Sequence, residues 1–530
     1  MKKTALKYSD IPQLSKFDVA YNSNPTQFDS FIAYRPDFQS FAETIEQRKK
    51  FEINRELLVE VLMSQYSKFQ TRAETANNIA ALAYDNTFTV ITAHQPSLLL
   101  GPLYFIYKIV TTIKLANQLN LAHPGHTIVP VFITGGEDHD FEEVNHINIF
   151  NKKLEWKNDE KGSVGMMSTR TLQDVLAELK PLLGNSENAT EIFDLIEKNY
   201  TQFDTYQVSA QGLINDLFGR FGLVVLNMNN ALLKSTFRPI IKAEILQQPT
   251  VQIVQNTQNE LGNLGYKAQA FSREINFFYL EKGIRERIIL EKNIYKVLNT
   301  KIEFTESSLL EEIDKHPEHF SPNVIMRPLY QESILPNLAY IGGGGELAYW
   351  IERKAQFEHF NVFYPMLLRR NSVLWLDKNT MQRVEKYGLT PLDLFGDTDL
   401  VVKQYLHKNA SVNLNLQQEK AEITAIFDRI KALAHKIDTT LEATVAAENI
   451  KQSAVIDQLE SRLLRAEKQK NEVVLNQIKA LMQKAAPNGG LQERFENFLP
   501  YYVKYGTSFF DILIENLDPI STHFDVLSEE

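Results

Sequence analysis

The sequence predicts an α/β protein: a parallel-sheet core with inserted subdomains, followed by a C-terminal α-helical coiled coil. Two observations carry this prediction. Thr87–Ala93 and Thr127–Ile133 are runs rich in β-branched residues, separated by a helix candidate over Leu103–Leu119. A strand, a helix and a second strand in that order form a crossover unit, which implies parallel strands joined with right-handed sense. The second observation is that residues 413–486 contain neither Gly nor Pro. Within them Ile423, Ile426, Ile430, Leu433 and Ile437, then Val455, Leu459, Leu463 and Ala466, keep the three-and-four spacing of a coiled-coil seam.

The remaining elements follow along the chain. Residues 1 to about 85 read as mostly helical and amphipathic, with Leu57, Leu58, Val61 and Leu62 on one face. His94-Gln95-Pro96 ends the first strand. Residues 170–220 read as helical, and Gly222–Asn227 as a third strand. The region 230–320 changes character. Ile275–Leu280 and Ile284–Ile289 flank Glu281-Lys282-Gly283, a hairpin pattern within an inserted subdomain. The sheet pattern resumes at Val324–Met326 and Leu338–Ile341 and closes with Val373–Leu376. A single helix over 413–486 would reach about 110 Å, so a two-helix hairpin is expected, turning near residues 444–453 and ending at Pro487-Asn488-Gly489-Gly490. The aromatic tail, with Phe495, Tyr501, Tyr502, Phe509 and Phe510, is expected to pack on the core.

Bulk composition narrows the function. The 530 residues carry a formal net charge of −10, which argues against nucleic acid or an anionic membrane as the partner of the whole chain. No apolar run is long enough to span a bilayer, and Lys7, Ser9 and Asp10 interrupt any signal-like apolar stretch. A cytoplasmic protein is expected. The absence of cysteine excludes disulfides, thiolate metal sites and a cysteine nucleophile.

Three segments carry chemistry. In the first, His94-Gln95 leads through Gly101 into a helix on which Tyr104 and Lys108 are four apart. It reads either as an anion-binding entry or as a plain helix-entry loop. In the second, Glu137–His146 packs five carboxylates and two histidines into ten residues just past a core strand and Gly135-Gly136. Charge that dense is costly there unless it binds something or faces water, and the crevice beyond the carboxyl ends of parallel strands is where ligands sit in such sheets. His139 and Asp140 suit a general base or acid, or hard-cation ligation; the alternative is a solvated acidic loop. In the third, Arg327 begins a stretch that reaches Gly342-Gly343-Gly344-Gly345-Glu346 and Tyr349-Trp350, where glycines open backbone to a ligand or make a tight turn. Arg369 and Arg370 follow and suit carboxylate or phosphate, or surface solvation.

Taken together and in this order, Gly101–Tyr104 with Lys108, Glu137–Phe141 with Asn145-His146, Arg327–Trp350, Leu463–Lys468 and Pro487–Arg494 resemble the cysteine-adding enzymes of bacillithiol biosynthesis, the BshC family. The likeness spans nearly the whole chain. It implies a Rossmann-like core over 1–412 with inserted connecting subdomains at about 155–220 and 230–320, an antiparallel coiled coil over 413–486 that joins two copies, and a C-terminal segment, 487–530, packed on the core. It implies a ligase forming an amide between L-cysteine and glucosaminyl-malate, the last step of bacillithiol synthesis; a free carboxylate needs activation from some source, for which ATP, with Mg²⁺, is a candidate. The core is similar to class I synthetases and nucleotidylyltransferases, although His94-Gln95-Pro96-Ser97 supplies only the first residue of their HxGH signature and no KMSKS-like loop is present. On this reading His94, Asp138, His139 and Asp140 are the catalytic candidates. Gln95, Gly101, Tyr104, Lys108, Asn145, His146, Arg327, Gly342, Gly343, Gly344, Gly345, Glu346 and Arg370 are the binding candidates, with no metal ligand assigned. A metal-dependent hydrolase built on Glu137–His146, a class I-type nucleotidylyltransferase and a non-catalytic coiled-coil scaffold are the alternatives.

Overall fold

The structure, a computed structural model, describes residues 1–409 and 415–530. Five parallel strands form the central sheet: β1 (Thr87–His94), β2 (Thr127–Thr134), β3 (Val224–Asn227), β4 (Asn337–Gly342) and β5 (Met366–Arg369), in the spatial order β5-β4-β1-β2-β3. The β-branched runs are buried along almost their full length, as strands covered on both faces must be. The crossover helix α1 (Leu103–Ala122) buries Ile106, Ile109, Val110 and Ile113, the residues whose spacing predicts it.

Two readings of this sheet are corrected. Val324–Met326 forms no strand. The Asn323 side chain accepts from the Ile325 and Met326 N–H groups at 2.9 and 3.2 Å, which turns the chain into the helix Arg327–Ile334. Val373–Leu376 is a strand but does not close the core. It pairs with His523–Ser528, which in turn pairs with Lys2–Lys7. The fifth core strand lies just upstream, at Met366–Arg369. The N-terminal region is thus not purely helical: it begins with a lysine-rich edge strand, whose charges face solvent and discourage further pairing.

The predicted helices over 170–220 are present as Gln173–Leu183, Glu187–Gln202 and Tyr206–Phe218. The predicted hairpin is Phe277–Glu281 against Ile284–Glu291, inside a second five-stranded sheet. The coiled coil is an antiparallel pair, α3 (Gln417–Ile437) and α4 (Leu441–Lys470), with Lys420 paired to Asp457 across it at 2.8 Å. Its turn is Asp438–Thr440, earlier than the expected 444–453. Asp438 accepts from both the Thr440 N–H and hydroxyl at 2.8 Å, so an Asp side chain does the work that Gly or Pro would mark. After Asn471 a further helix, α5 (Glu472–Ala485), returns to the core and buries Leu475, Ile478, Leu481 and Met482. The expected domain boundary at 412/413 lies outside the described residues. Of the tail's aromatics, Tyr502, Phe509 and Phe510 are buried, as is Phe498, whereas Phe495 and Tyr501 are half-buried.

Candidate functional site

At the carboxyl ends of β1, β2 and β4 lies a cavity of about 440 Å³. His94 and Gln95 reach it from β1, Asp138 and Glu143 from the loop after β2, and Gly343, Gly345 and Glu346 from the turn after β4, which enters the helix α2 (Gly344–Trp350). Arg327, Tyr104 and Arg370 complete the predicted part of its lining. The three segments singled out in the sequence therefore converge on one crevice.

The floor is a network of paired groups. Lys108, fully buried, donates to both Glu346 oxygens at 2.8 Å and to the Ala93 carbonyl. Glu346 also accepts from Tyr340 Oη at 2.7 Å and from the Gly343 N–H at 2.8 Å. Burial alone would raise the Glu346 carboxyl, but the charge and hydrogen bonds of Lys108 overcome it and hold the group at about 2. Lys108 thus sits beneath the cavity and does not line it. His94 donates from Nδ1 to the Gln95 carbonyl and accepts at Nε2 from Tyr104 Oη, each at 3.0 Å. Burial, then the charge of Lys108, lowers it to about 4, so the ring is neutral at physiological pH and offers no positive charge.

The four glycines have separate jobs. A Cβ on Gly344 would lie 2.4 Å from the Asp18 carboxylate, and one on Gly342 would crowd Tyr340 and Leu347, so both permit packing. The Gly343 N–H is spent on Glu346. Gly345 is exposed, with nothing within 4 Å of an added Cβ. Gly101 likewise shapes its loop: its φ is 61° and its carbonyl accepts from Asn497 Nδ2 at 2.6 Å, away from the cavity.

The acidic segment divides into residues inside and outside the site. Asp138 accepts from Gln95 Nε2 at 2.6 Å, from its neighbour's N–H at 2.7 Å and from Arg285 Nη1 at 3.2 Å. Glu143 faces the cavity, its carboxyl pushed up by burial and then by Asp140 and Asp138. His139 stands at the rim, half-exposed against Phe278, and accepts from Arg285 Nη1 at 2.7 Å. Asp140 caps the short helix Phe141–Val144. Asn145 and His146 bond each other at the start of a small hairpin and do not line the cavity. The helix spans only four residues, so His139 and His146 share no helical face. Among the described residues this segment gathers no three ligand atoms within 4.8 Å of one another. The one grouping that does is His316, Glu318 and His319, in the inserted subdomain, so the hydrolase reading loses its metal site.

Neither Arg369 nor Arg370 is a solvated surface residue. Arg369 grips Asp18, and Arg370 donates to Glu493 at 2.7 Å with its guanidinium over the Tyr104 ring. The sequence reading missed Glu143 as a site residue, and it missed other charged or aromatic residues of the lining. Glu137 pairs with buried Lys234 at 2.9 Å, Arg285 arrives from the inserted hairpin, Tyr349 accepts from Arg327 Nη2 at 3.1 Å, and Arg494 arrives from the C-terminal segment. Arg494 is the distinctive one: it is exposed, its guanidinium lies 5.8 Å from the Tyr104 ring centroid, and its side chain makes no hydrogen bond or ion pair with any described residue. Its only signal was its place at the end of Pro487–Arg494.

Two regions of known description cover the chain. Residues 1–371 match the N-terminal Rossmann-like domain of bacillithiol biosynthesis BshC, and residues 373–529 match its C-terminal coiled-coil domain. The chain belongs to the BshC family. Relatives named "Putative cysteine ligase BshC" from Flavobacterium psychrophilum and Flavobacterium johnsoniae are each 38% identical over 530 residues, covering 99% and 100% of both chains. One of the same name from Bacillus anthracis is 29% identical over 510 residues, covering 93% of this chain and 94% of its own. The BshC domain descriptions and the observed sheet agree on a Rossmann-like core, and they agree on the helical C-terminal coiled coil. Among the described residues no helix is long and apolar enough to cross a membrane.

Proposed function

We propose that this BshC-family chain is a cysteine ligase that joins the carboxyl of L-cysteine to the amine of glucosaminyl-malate as an amide, the last step of bacillithiol synthesis. The observation that supports it most is the cavity itself. One crevice gathers cationic groups for anionic substrates and a carboxyl, Glu143, whose partner there is the neutral Gln95 side chain rather than a cation.

The attacking group must be a free amine, so its ammonium has to lose a proton inside the site. Glu143 is the better base than His139 or Asp140, which stand at the rim and at a helix cap. It is also better than Asp138, whose carboxylate is held in an ion pair with Arg285 at 3.2 Å. Burial, then the charges of Asp140 and Asp138, push the Glu143 carboxyl up, the direction that strengthens it as a base. Arg327 and Arg285 face the negative charge that develops on the acyl oxygen. Neutral His94, with Tyr104, contributes hydrogen bonding and shape.

A free carboxylate does not acylate an amine unaided. The donor set fits ATP carried as its Mg²⁺ complex: Arg327 and Arg285 would hold its phosphates, and ATP would supply the anhydride bond whose cleavage drives amide formation. The exposed seam of α3 and α4, with Ile430, Leu433, Ile437, Val455, Leu459 and Leu463, is the proposed contact with a second copy. We place the protein in the cytoplasm, where such a substrate pair would be met.

Mass-spectrometric assay of the purified protein with L-cysteine and glucosaminyl-malate tests this reading. Amide product that requires both substrates, ATP and Mg²⁺ is expected. Absence of amide under every condition would overturn the ligase, and product formed without ATP would overturn the activation scheme.

A further inference from the structure

A pocket for a single drug-sized ligand spans about 300–1,000 Å³, so the 440 Å³ cavity is too small to enclose every reactant of a ligation whole. A second cavity, of about 480 Å³, lies against it and shares two lining residues with it, Gly345 and Arg494. It is walled by the helix Lys16–Ser23 and by Tyr266 and Lys267, which follow the helix Pro249–Asn263.

The charges on this wall are unbalanced toward its opening. Its two carboxylates are satisfied from within. Asp18 accepts from Arg369 at 2.7 and 3.1 Å, and Glu352 accepts from Gln258 Nε2, the Gln269 N–H and Arg353 at 2.9, 2.8 and 3.2 Å. Its cations are not. Lys267 and Arg494 are exposed and make no side-chain hydrogen bond or ion pair with any described residue. Lys16 has only the Gly265 carbonyl at 3.4 Å and the face of Tyr266 at 5.3 Å. Three cations thus face a cavity whose acidic groups are already neutralised.

From this geometry we infer that the second cavity is the subsite for the acceptor's dicarboxylate end, with Lys16, Lys267 and Arg494 on its carboxylates, so that its amine reaches past Gly345 into the first cavity. This inference rests on the ligase reading above and adds where the acceptor lies. Gly345 forms the passage. Its φ lies outside the left-handed region and nothing stands within 4 Å of an added Cβ, so a side chain there narrows the junction without a clash in the fold.

Steady-state ligation and equilibrium titration of glucosaminyl-malate by calorimetry test it, using wild type, Gly345→Val and the pair Lys16→Gln with Lys267→Gln. The two-lysine variant, altered only at exposed side chains, is expected to weaken acceptor binding and raise its KM about tenfold while the KM for cysteine stays within twofold. Gly345→Val is expected to lower kcat/KM for the acceptor at least tenfold while binding of the acceptor persists. If wild type ligates but both variants keep wild-type acceptor KM and affinity, the subsite is wrong and the ligase stands. If wild type forms no amide in any condition, the ligase reading itself falls; acceptor binding that is nonetheless lost in the two-lysine variant would then still support the subsite.

Discussion

The floor of the cavity and its open wall are built from the same residue types and do opposite work. On the floor, buried Lys108 with partly exposed Glu346, and Arg370 with Glu493, are ion pairs whose hydrogen bonds are spent on each other, on neighbouring hydroxyls and on the backbone. On the open walls of this cavity and its neighbour, Glu143, Lys267 and Arg494 are exposed, and none is held in an ion pair with a described residue. A buried pair holds a shape, because removing either partner strands a charge away from water. An exposed unpaired charge adds little to stability and remains available to a substrate. The difference assigns scaffold to one set and chemistry to the other, and substitutions can break it.

The largest effect on the fold belongs to the floor. Glu346→Gln leaves Lys108 buried without a counter-charge and is expected to cost roughly 3–5 kcal/mol, read as a lowered midpoint in denaturant or thermal unfolding. The same pair sets an acid sensitivity. The Glu346 carboxyl is held near 2 when folded and returns to about 4.3 when unfolded, so its contribution is present above pH ~4 and is lost as the pH falls toward 2. Acid unfolding followed by circular dichroism is expected to be less pH-dependent over that window in Glu346→Gln. A smaller loss follows from Asp140→Ala, which removes the cap of Phe141–Val144: about 1 kcal/mol, with ligation retained. The smallest is Arg494→Gln, expected to change unfolding free energy by less than about 0.5 kcal/mol while weakening the acceptor. A large destabilisation there would blur the distinction between floor and wall.

Much of this layout was legible in the sequence because apolar periodicity reports burial directly. The runs at Thr87–Ala93 and Thr127–Ile133, the α1 stripe and the coiled-coil seam all stand where their patterns put them. Polar edges were harder. Lys2–Lys7 is an edge strand whose pairing partner lies more than 500 residues away, and a lysine-rich hexamer carries no strand signal of its own. Met366–Arg369 was masked by the arginines that end it, whose burial depends on Asp18 and Glu493 from the far ends of the chain. The turn at Asp438 is made by one side-chain oxygen, which composition does not announce.

The site follows the same rule. Segments were identifiable because unusual residues cluster in them, but roles within a segment were not. His139 and Glu143 are four apart in one acidic stretch, and only the three-dimensional path places the histidine at the rim against Arg285 and the glutamate on the cavity. Arg285 and Arg494 come from elements whose local pattern speaks of a hairpin and a turn. Their function arises from where the inserted subdomain and the C-terminal segment dock.

The most direct test compares amide formation, followed by mass spectrometry under saturating substrates, in Glu143→Gln and His139→Ala side by side. Loss of the cavity base is expected to slow turnover by about 10²–10⁴ with the unfolding midpoint preserved, while the rim histidine variant stays within a few-fold of wild type. The reverse order, with His139→Ala crippled and Glu143→Gln active, would contradict the division between rim and cavity on which the account stands.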